Sequence, residues 1–184
     1  MMLTARKIIK LFKMRLLPNE GGFYTETYRC PEKIDPDVVN RGRPERAQRV
    51  EGPMHSPAGR FGSRNISTAI LYLLTPDTCS KLHKLKHDEI FHFYLGCPVT
   101  MLLLHPDGKT EIITLGPDIL KGHRVQVIIP RNTWQGCLLK KRGKFALLGT
   151  TVAPGFDFND FQLADRNNLL KKFPSQKSLI TKLT

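Results

Sequence analysis

Three histidines and two acids crowd the segment His83-Lys-Leu-Lys-His87-Asp88-Glu89-Ile-Phe-His92. Imidazole and carboxylate groups this close can ligate a metal or pass a proton. The spacing is not the His-Glu-x-x-His of a helical zinc site, and the segment reads as strand, loop and strand. On a strand, Glu89, Phe91 and Phe93 share one face, and Ile90, His92 and Tyr94 share the other. A carboxylate among aromatic residues is costly to bury unpaired. Glu89 is therefore either exposed or turned toward a polar cavity.

The elements that must position these groups are mostly strands. From Ile66 onward ISTAILYLL, EIFHFYL, PVTMLLLH, KTEIITLG, VQVIIP, TWQGCLL and KFALLGTTV follow at short spacing, with no helical period between them. Pro106-Asp107-Gly108 marks a hairpin turn. This pattern predicts an all-β antiparallel sandwich or barrel. FYTETYRC, from Phe23 to Cys30, alternates like a further strand. Residues 1–17 read as an N-terminal amphipathic helix, with Ile8, Leu11, Phe12 and Arg15 on one face. Residues 18–174 then form a single domain, within which 31–65, rich in proline, glycine and arginine, reads as a long basic loop. A short helix is expected near 165–173, with Asp165 as its N-cap, Lys171 and Lys172 at its C-terminal end and Pro174 as its stop. Residues 175–184 read as a flexible tail.

Composition narrows the classes. The 184 residues carry 29 Lys and Arg against 16 Asp and Glu, a formal charge of +13. The basic residues fall in patches, without an Arg-rich helix or an aromatic–basic RNA signature. A nucleic-acid or acidic partner is thus the less favoured reading, and attraction of anionic ligands the plainer one. No apolar run approaches the roughly 18 residues of a membrane span. The four cysteines show no Cys-x-x-Cys spacing. With no signal-peptide pattern ahead of them, they are expected to be reduced thiols of a cytoplasmic protein. The acid-free, basic N-terminal segment leaves a mitochondrial address as the alternative.

The chain resembles a known family at several points. His83, Glu89 and Gly96 resemble the first cupin motif, and Pro130-Arg-Asn-Thr-Trp-Gln135 the second. Three stretches resemble the poorly characterised cupin family five. They are Leu17-Pro-x-Glu20-Gly-Gly-Phe-Tyr24-x-Glu26-x-Tyr28-Arg29, Ser67-Thr-Ala-Ile70, and Pro154-Gly-Phe-Asp-Phe-x-Asp-Phe161 with Asp165-Arg166. The resemblance implies a double-stranded β-helix, the cupin jelly-roll barrel, usually dimeric. It also implies that His83, Glu89 and Gln135 converge inside the barrel.

The departures from that pattern carry the functional reading. Leu85 and Gln135 stand where a metal cupin has its second and third histidines. His83, Glu89 and Gln135 remain as weak metal candidates, too few for tight binding, so no cofactor is expected. Gly22-Phe23-Tyr24-Thr25-Glu26 also resembles, more distantly, a pocket strand of metal-free sugar-nucleotide 3,5-epimerase cupins, which abstract a proton with a barrel histidine. On that likeness His83 and Glu89 are the catalytic candidates, with Glu89 as the carboxylate that steadies the imidazolium. Tyr24, Glu26, Tyr28 and Gln135 are the ligand-binding candidates, while Arg29, on the opposite strand face, supports the loop or a dimer. The leading expectation is a small-molecule cupin of isomerase or epimerase type. Its ligand would be anionic or sugar-like, either carbohydrate-like or nucleotide-linked. The alternatives are a non-catalytic ligand-binding cupin and an interaction protein using its basic surface.

Overall fold

The structure is a computed structural model that describes residues 2–34 and 63–184. Most of the basic loop expected at 31–65 lies outside those residues. Its two described ends are not coil: β3 (Lys33–Ile34) pairs antiparallel with β4 (Arg64–Asn65).

Two antiparallel sheets face each other. The larger contains β1 (Arg15–Leu16), β2 (Phe23–Arg29), β5 (Thr68–Leu74), β12 (Ala146–Ala153), β7 (Asp88–Gly96) and β10 (Gln126–Ile129), in that order. The smaller contains β13 (Gln162–Leu163), β6 (Cys79–Lys84), β11 (Trp134–Leu139), β8 (Val99–Leu104) and β9 (Thr110–Leu115). Two facing antiparallel sheets fit the sandwich or barrel that the strand spacing predicts and the jelly-roll that the family resemblance implies. The hairpin at Pro106-Asp107-Gly108 joins β8 to β9, with Gly108 N–H donating to the His105 carbonyl at 3.0 Å.

The inward-facing rows change character along the barrel. On β5 they run Thr68, Ile70, Tyr72, Leu74, and on β12 Val152, Thr150, Leu148, Ala146. Tyr72, Leu74, Leu148 and Ala146 join Phe91, Met101, Leu103, Val127 and Ile129 in a packed core. Thr68, Ile70, Thr150 and Val152 line a cavity instead. One end of the barrel is therefore filled with apolar side chains and the other is open and polar. A strand's period of two makes such a gradient with no change of face.

The outer faces are partly covered. Helix α1 (Ala5–Leu11) lies over the larger sheet, where Ile8 and Met14 pack on Leu73 and Leu147. The helix is shorter than the 1–17 expected: β1 begins at Arg15 and pairs with β2. Its buried face is centred on Ile8, whereas Leu11 and Phe12 are exposed. Helix α2 (Arg166–Lys172) starts at Asp165, whose Oδ1 accepts from Asn168 N–H at 2.8 Å.

The last residues are not a flexible tail. Helix α3 (Lys177–Lys182) follows, and Ile180 and Leu183 are fully buried with Leu82, Leu102, Leu104, Leu169 and Phe173. Leu82 N–H donates to the Leu183 carbonyl at 2.7 Å, so backbone pairing also fixes the end of the chain. This explains why Met101-Leu-Leu-Leu104 is apolar without alternation. Met101 and Leu103 face the barrel core, while Leu102 and Leu104 lie beneath the C-terminal helices. Trp134, opposite in parity to Gln135, packs at the edge of that second cluster.

Candidate functional site

Strand β6 turns His83 inward, where the side chain is 2% exposed. Its Nδ1 lies 2.8 Å from the Lys81 carbonyl oxygen. A carbonyl can only accept, so in the neutral ring Nδ1 carries the proton and Nε2 keeps a free lone pair. The imidazole stacks on Phe161, with centroids 5.0 Å apart and planes 24° from parallel. Packing and the backbone contact together hold the ring in one orientation.

The carboxylate beside this ring is Glu20. Its Oε2 lies 3.8 Å from His83 Nε2, and its Oε1 accepts from the Ser80 hydroxyl at 2.7 Å. A tight turn delivers it from the segment before β2. Gly21 and Gly22 have φ of 98° and 73°, in the left-handed region that suits glycine. A Cβ at Gly21 would meet the Cys79 carbonyl oxygen at 2.5 Å, and one at Gly22 the Tyr72 hydroxyl at 2.5 Å. Tyr72 in turn donates to the Gly21 carbonyl at 2.8 Å, and Lys81 N–H to the Glu20 carbonyl at 2.9 Å. The turn is thus clamped against the barrel wall. Strand periodicity could not place Glu20 in the site, because it sits outside any strand. The available signal was an acid immediately before a Gly-Gly pair.

His83, Glu89 and Gln135 do come together. Gln135 pairs with His83 in the β6–β11 register, and its Nε2 donates to Glu89 Oε2. Glu89 does not take the role expected for it against His83, since the acid nearest the imidazole is Glu20. Burial pushes the Glu89 carboxyl above its usual range. The His83 charge and hydrogen bonds from Gln135 and Thr150 oppose that shift, while the Glu20 charge adds to it. The site therefore pairs an oriented imidazole with one carboxylate at its side and a second carboxyl whose pKa burial raises.

The cavity around these groups holds about 410 Å³. Tyr24 and Glu26 line it, as expected, and Tyr28 does not. Cα pairing with β5 runs Glu26–Ile70 and then Tyr28–Ala69, so Thr27 is an extra residue, a bulge. Beyond it the alternation inverts. Tyr28 is half exposed, and Arg29 turns to the cavity wall. There Arg29 forms a two-pronged ion pair with Glu26, at 2.9 Å from Nε and 2.7 Å from Nη2. Its Nη1 donates to Asn65 Oδ1 at 3.1 Å and to the Phe156 carbonyl at 3.5 Å. The bulge corrects the strand face expected for Arg29, which lines the cavity while still bracing Asn65 at the end of the 31–65 segment.

The segment after β12 closes the remaining side with Phe156, Asp157 and Phe158. Buried Asp160 anchors it through Arg64, 2.7 Å away, with His87 Nε2 at 3.6 Å and Lys86 Nζ at 3.5 Å. His87 thus serves this anchor rather than the cavity, and burial holds its imidazole below the usual histidine range. His92 lies on the outer face, stacked on Tyr94.

The donor set fits a metal poorly. Among the described residues no three His, Cys, Asp or Glu side chains converge as a metal-binding group. His83 Nε2 keeps a free lone pair, but beside it Gln135 offers only a neutral amide oxygen in place of an imidazole.

Comparison with known proteins agrees with this architecture. The chain is 30% identical over 158 residues to the uncharacterized protein YML079W of Saccharomyces cerevisiae, covering 83% of this chain and 71% of that protein. The solved structure of protein SO0799 from Shewanella oneidensis superposes with a TM-score of 0.78 at 28% identity, covering 100% of this chain and 98% of that one. A hypothetical protein from Leishmania major gives a TM-score of 0.79 at 23% identity over 99% of both chains, a likeness of fold. The family model described as Cupin superfamily (DUF985) matches residues 6–164. A barrel with one polar open end, a first motif reduced to His83 and Glu89, and a match across most of the sequence lead to one conclusion: the chain belongs to this family of the cupin superfamily.

Proposed function

We propose that the protein is a metal-independent isomerase or epimerase acting on a small carbohydrate-like ligand, with His83 as the proton-transfer base. The observation that carries this reading is the orientation of His83. Its Nδ1 is engaged by the Lys81 carbonyl and its Nε2 is directed toward Glu20 at the edge of the cavity. Such a nitrogen can accept a proton, and an adjacent carboxylate stabilises the imidazolium that results.

In the reaction, Nε2 removes the proton from a carbon next to a carbonyl. The electron pair of that C–H bond moves into an enolate. Glu89, held toward its neutral form by burial, donates a hydrogen bond to the enolate oxygen, as buried carboxylic acids can. With a hydroxyl on the carbon that lost the proton, the enolate oxygen takes up the Glu89 proton while that hydroxyl gives its proton back to Glu89, and the imidazolium returns its proton to the former carbonyl carbon, which completes an isomerisation. Epimerisation requires a donor on the opposite face. The Tyr24 hydroxyl, which accepts from Arg15 Nε at 3.1 Å and keeps its own proton, can serve.

The test is solvent-deuterium incorporation, followed by NMR, into sugars, sugar phosphates and nucleotide sugars. Glu20→Gln keeps the shape and the Ser80 contact but removes the charge beside the imidazole. Both it and His83→Ala should lower exchange by about 10²–10⁴-fold while the protein remains folded. A ligand that binds in the cavity and never exchanges a proton would replace this reading with a non-catalytic binding cupin.

A further inference from the structure

We propose that Arg15 forms an oxyanion subsite at the cavity mouth, so that the ligand is a monosaccharide-sized polyol bearing one carboxylate or phosphate group. The proposal rests on the cavity's being a carbohydrate-like ligand site, as above, but not on its being catalytic.

Two arginines line the mouth, and they differ in what they have left to give. Arg29 is largely committed: its charge is paired with Glu26, and four of its five N–H groups donate, to Glu26, Asn65 and the Phe156 carbonyl. Arg15 uses only Nε, on the Tyr24 hydroxyl at 3.1 Å, and its guanidinium carbon sits 5.1 Å from the centre of the Tyr24 ring. Its two terminal nitrogens have no acceptor among the described residues. Strand pairing of Arg15 with Tyr24 fixes the base of the side chain, and the ring and hydroxyl hold its far end. A guanidinium anchored in this way loses little further freedom when it binds, and its fork matches the two oxygens of an oxyanion.

The acids of the cavity do not engage Arg15. Glu26 is paired with Arg29, Asp157 lies 3.8 Å from Arg64, and Glu20 faces His83 and accepts from Ser80. Arg15 is therefore the cation whose hydrogen-bonding capacity is open, and it lies where a ligand enters. The rest of the mouth suits a sugar ring. Phe158 is 55% exposed and sits edge-on to Phe156, with centroids 5.1 Å apart, so an apolar aromatic surface is open to the C–H face of a pyranose. A volume of about 410 Å³ accommodates one ring and its acid group.

The experiment is calorimetric titration of the full chain with glucuronate, galacturonate, glucose 6-phosphate and glucose. It uses wild type, Arg15→Gln, Arg15→Lys and, as a distant charge control, Lys140→Gln. At least one acidic probe should bind in the millimolar range or tighter, and glucose on the order of tenfold more weakly. Whether the uronates or the phosphate bind best identifies the source of the oxyanion. Arg15→Gln should erase that preference, Arg15→Lys, which keeps the charge but loses the fork and the Tyr24 contact, should keep only a minor part of it, and Lys140→Gln should leave it at the wild-type value. The proposal is overturned if no acid binds or if glucose binds as well as the acids. It is equally overturned if Arg15→Gln preserves the preference, or if Lys140→Gln weakens it equally, which would mean a diffuse field rather than a contact. An acid that binds through Arg15 without ever exchanging deuterium supports the subsite while removing the enzymatic reading.

Discussion

Replacing Glu89 by glutamine should change how stability depends on pH. The carboxyl lies inside the barrel, 6% exposed, and burial raises its pKa above the ordinary value of about 4.3. The folded protein therefore holds a proton that the unfolded chain has already released. Between the ordinary value and the raised one, the native state binds more protons than the unfolded state, so the contribution of Glu89 to unfolding free energy falls as pH rises. One proton sets the limiting slope, about 1.4 kcal/mol per pH unit. Below the ordinary value both states are protonated and the effect vanishes. Above the raised value the loss is complete and the curve flattens. Glu89→Gln preserves the shape of the protonated acid and can still hydrogen-bond to Gln135, but it cannot ionise. Its stability should match wild type in acid and exceed it progressively toward neutral pH. Urea unfolding followed through the single tryptophan, Trp134, gives the free energy at each pH. Subtracting the variant from wild type cancels the groups that the two proteins share. His83 and Glu20, the charged groups whose fields act on Glu89, remain in both. A difference that is flat with pH, or that grows in favour of wild type as pH rises, would refute the argument. It would mean that the His83 charge outweighs burial and that Glu89 is an ordinary carboxylate, unable to act as a neutral donor.

Three further outcomes are expected. Gly22→Ala puts a Cβ 2.5 Å from the Tyr72 hydroxyl at a φ of +73°, so it should cost at least about 1–2 kcal/mol and disturb Glu20; an unchanged urea midpoint would speak against the clamped turn. Ile180→Ala removes a fully buried side chain beneath α3 and should cost about 2–5 kcal/mol; a loss under about 1 kcal/mol in the same measurement would show that the C-terminal helix is dispensable. Elemental analysis of protein purified without metal affinity should find no stoichiometric zinc, iron or manganese; one equivalent that disappears in His83→Ala would overturn the metal-free chemistry.

The sequence by itself determined the elements whose signals are local. Alternation and β-branched runs specified the strands, Pro106-Asp107-Gly108 a hairpin, and Asp165 the start of α2, because turn chemistry and capping act over a few residues. The cupin resemblance implied that His83, Glu89 and Gln135 converge, and strands β6, β7 and β11 do bring them together. Tertiary structure decided what counting could not reach. One extra residue at Thr27 reverses every face beyond it, so Tyr28 left the cavity and Arg29 entered it. Leu11 and Phe12 had helical spacing, yet the helix met the sheet through Ile8. The end of the chain read as loose because six residues of α3 carry little intrinsic helical stability. Its order comes from burying Ile180 and Leu183 against strands far away in sequence. Glu20 became the partner of His83 for the same reason. A turn places it, and the barrel wall formed by Tyr72, Ser80 and Lys81 decides where that turn must lie.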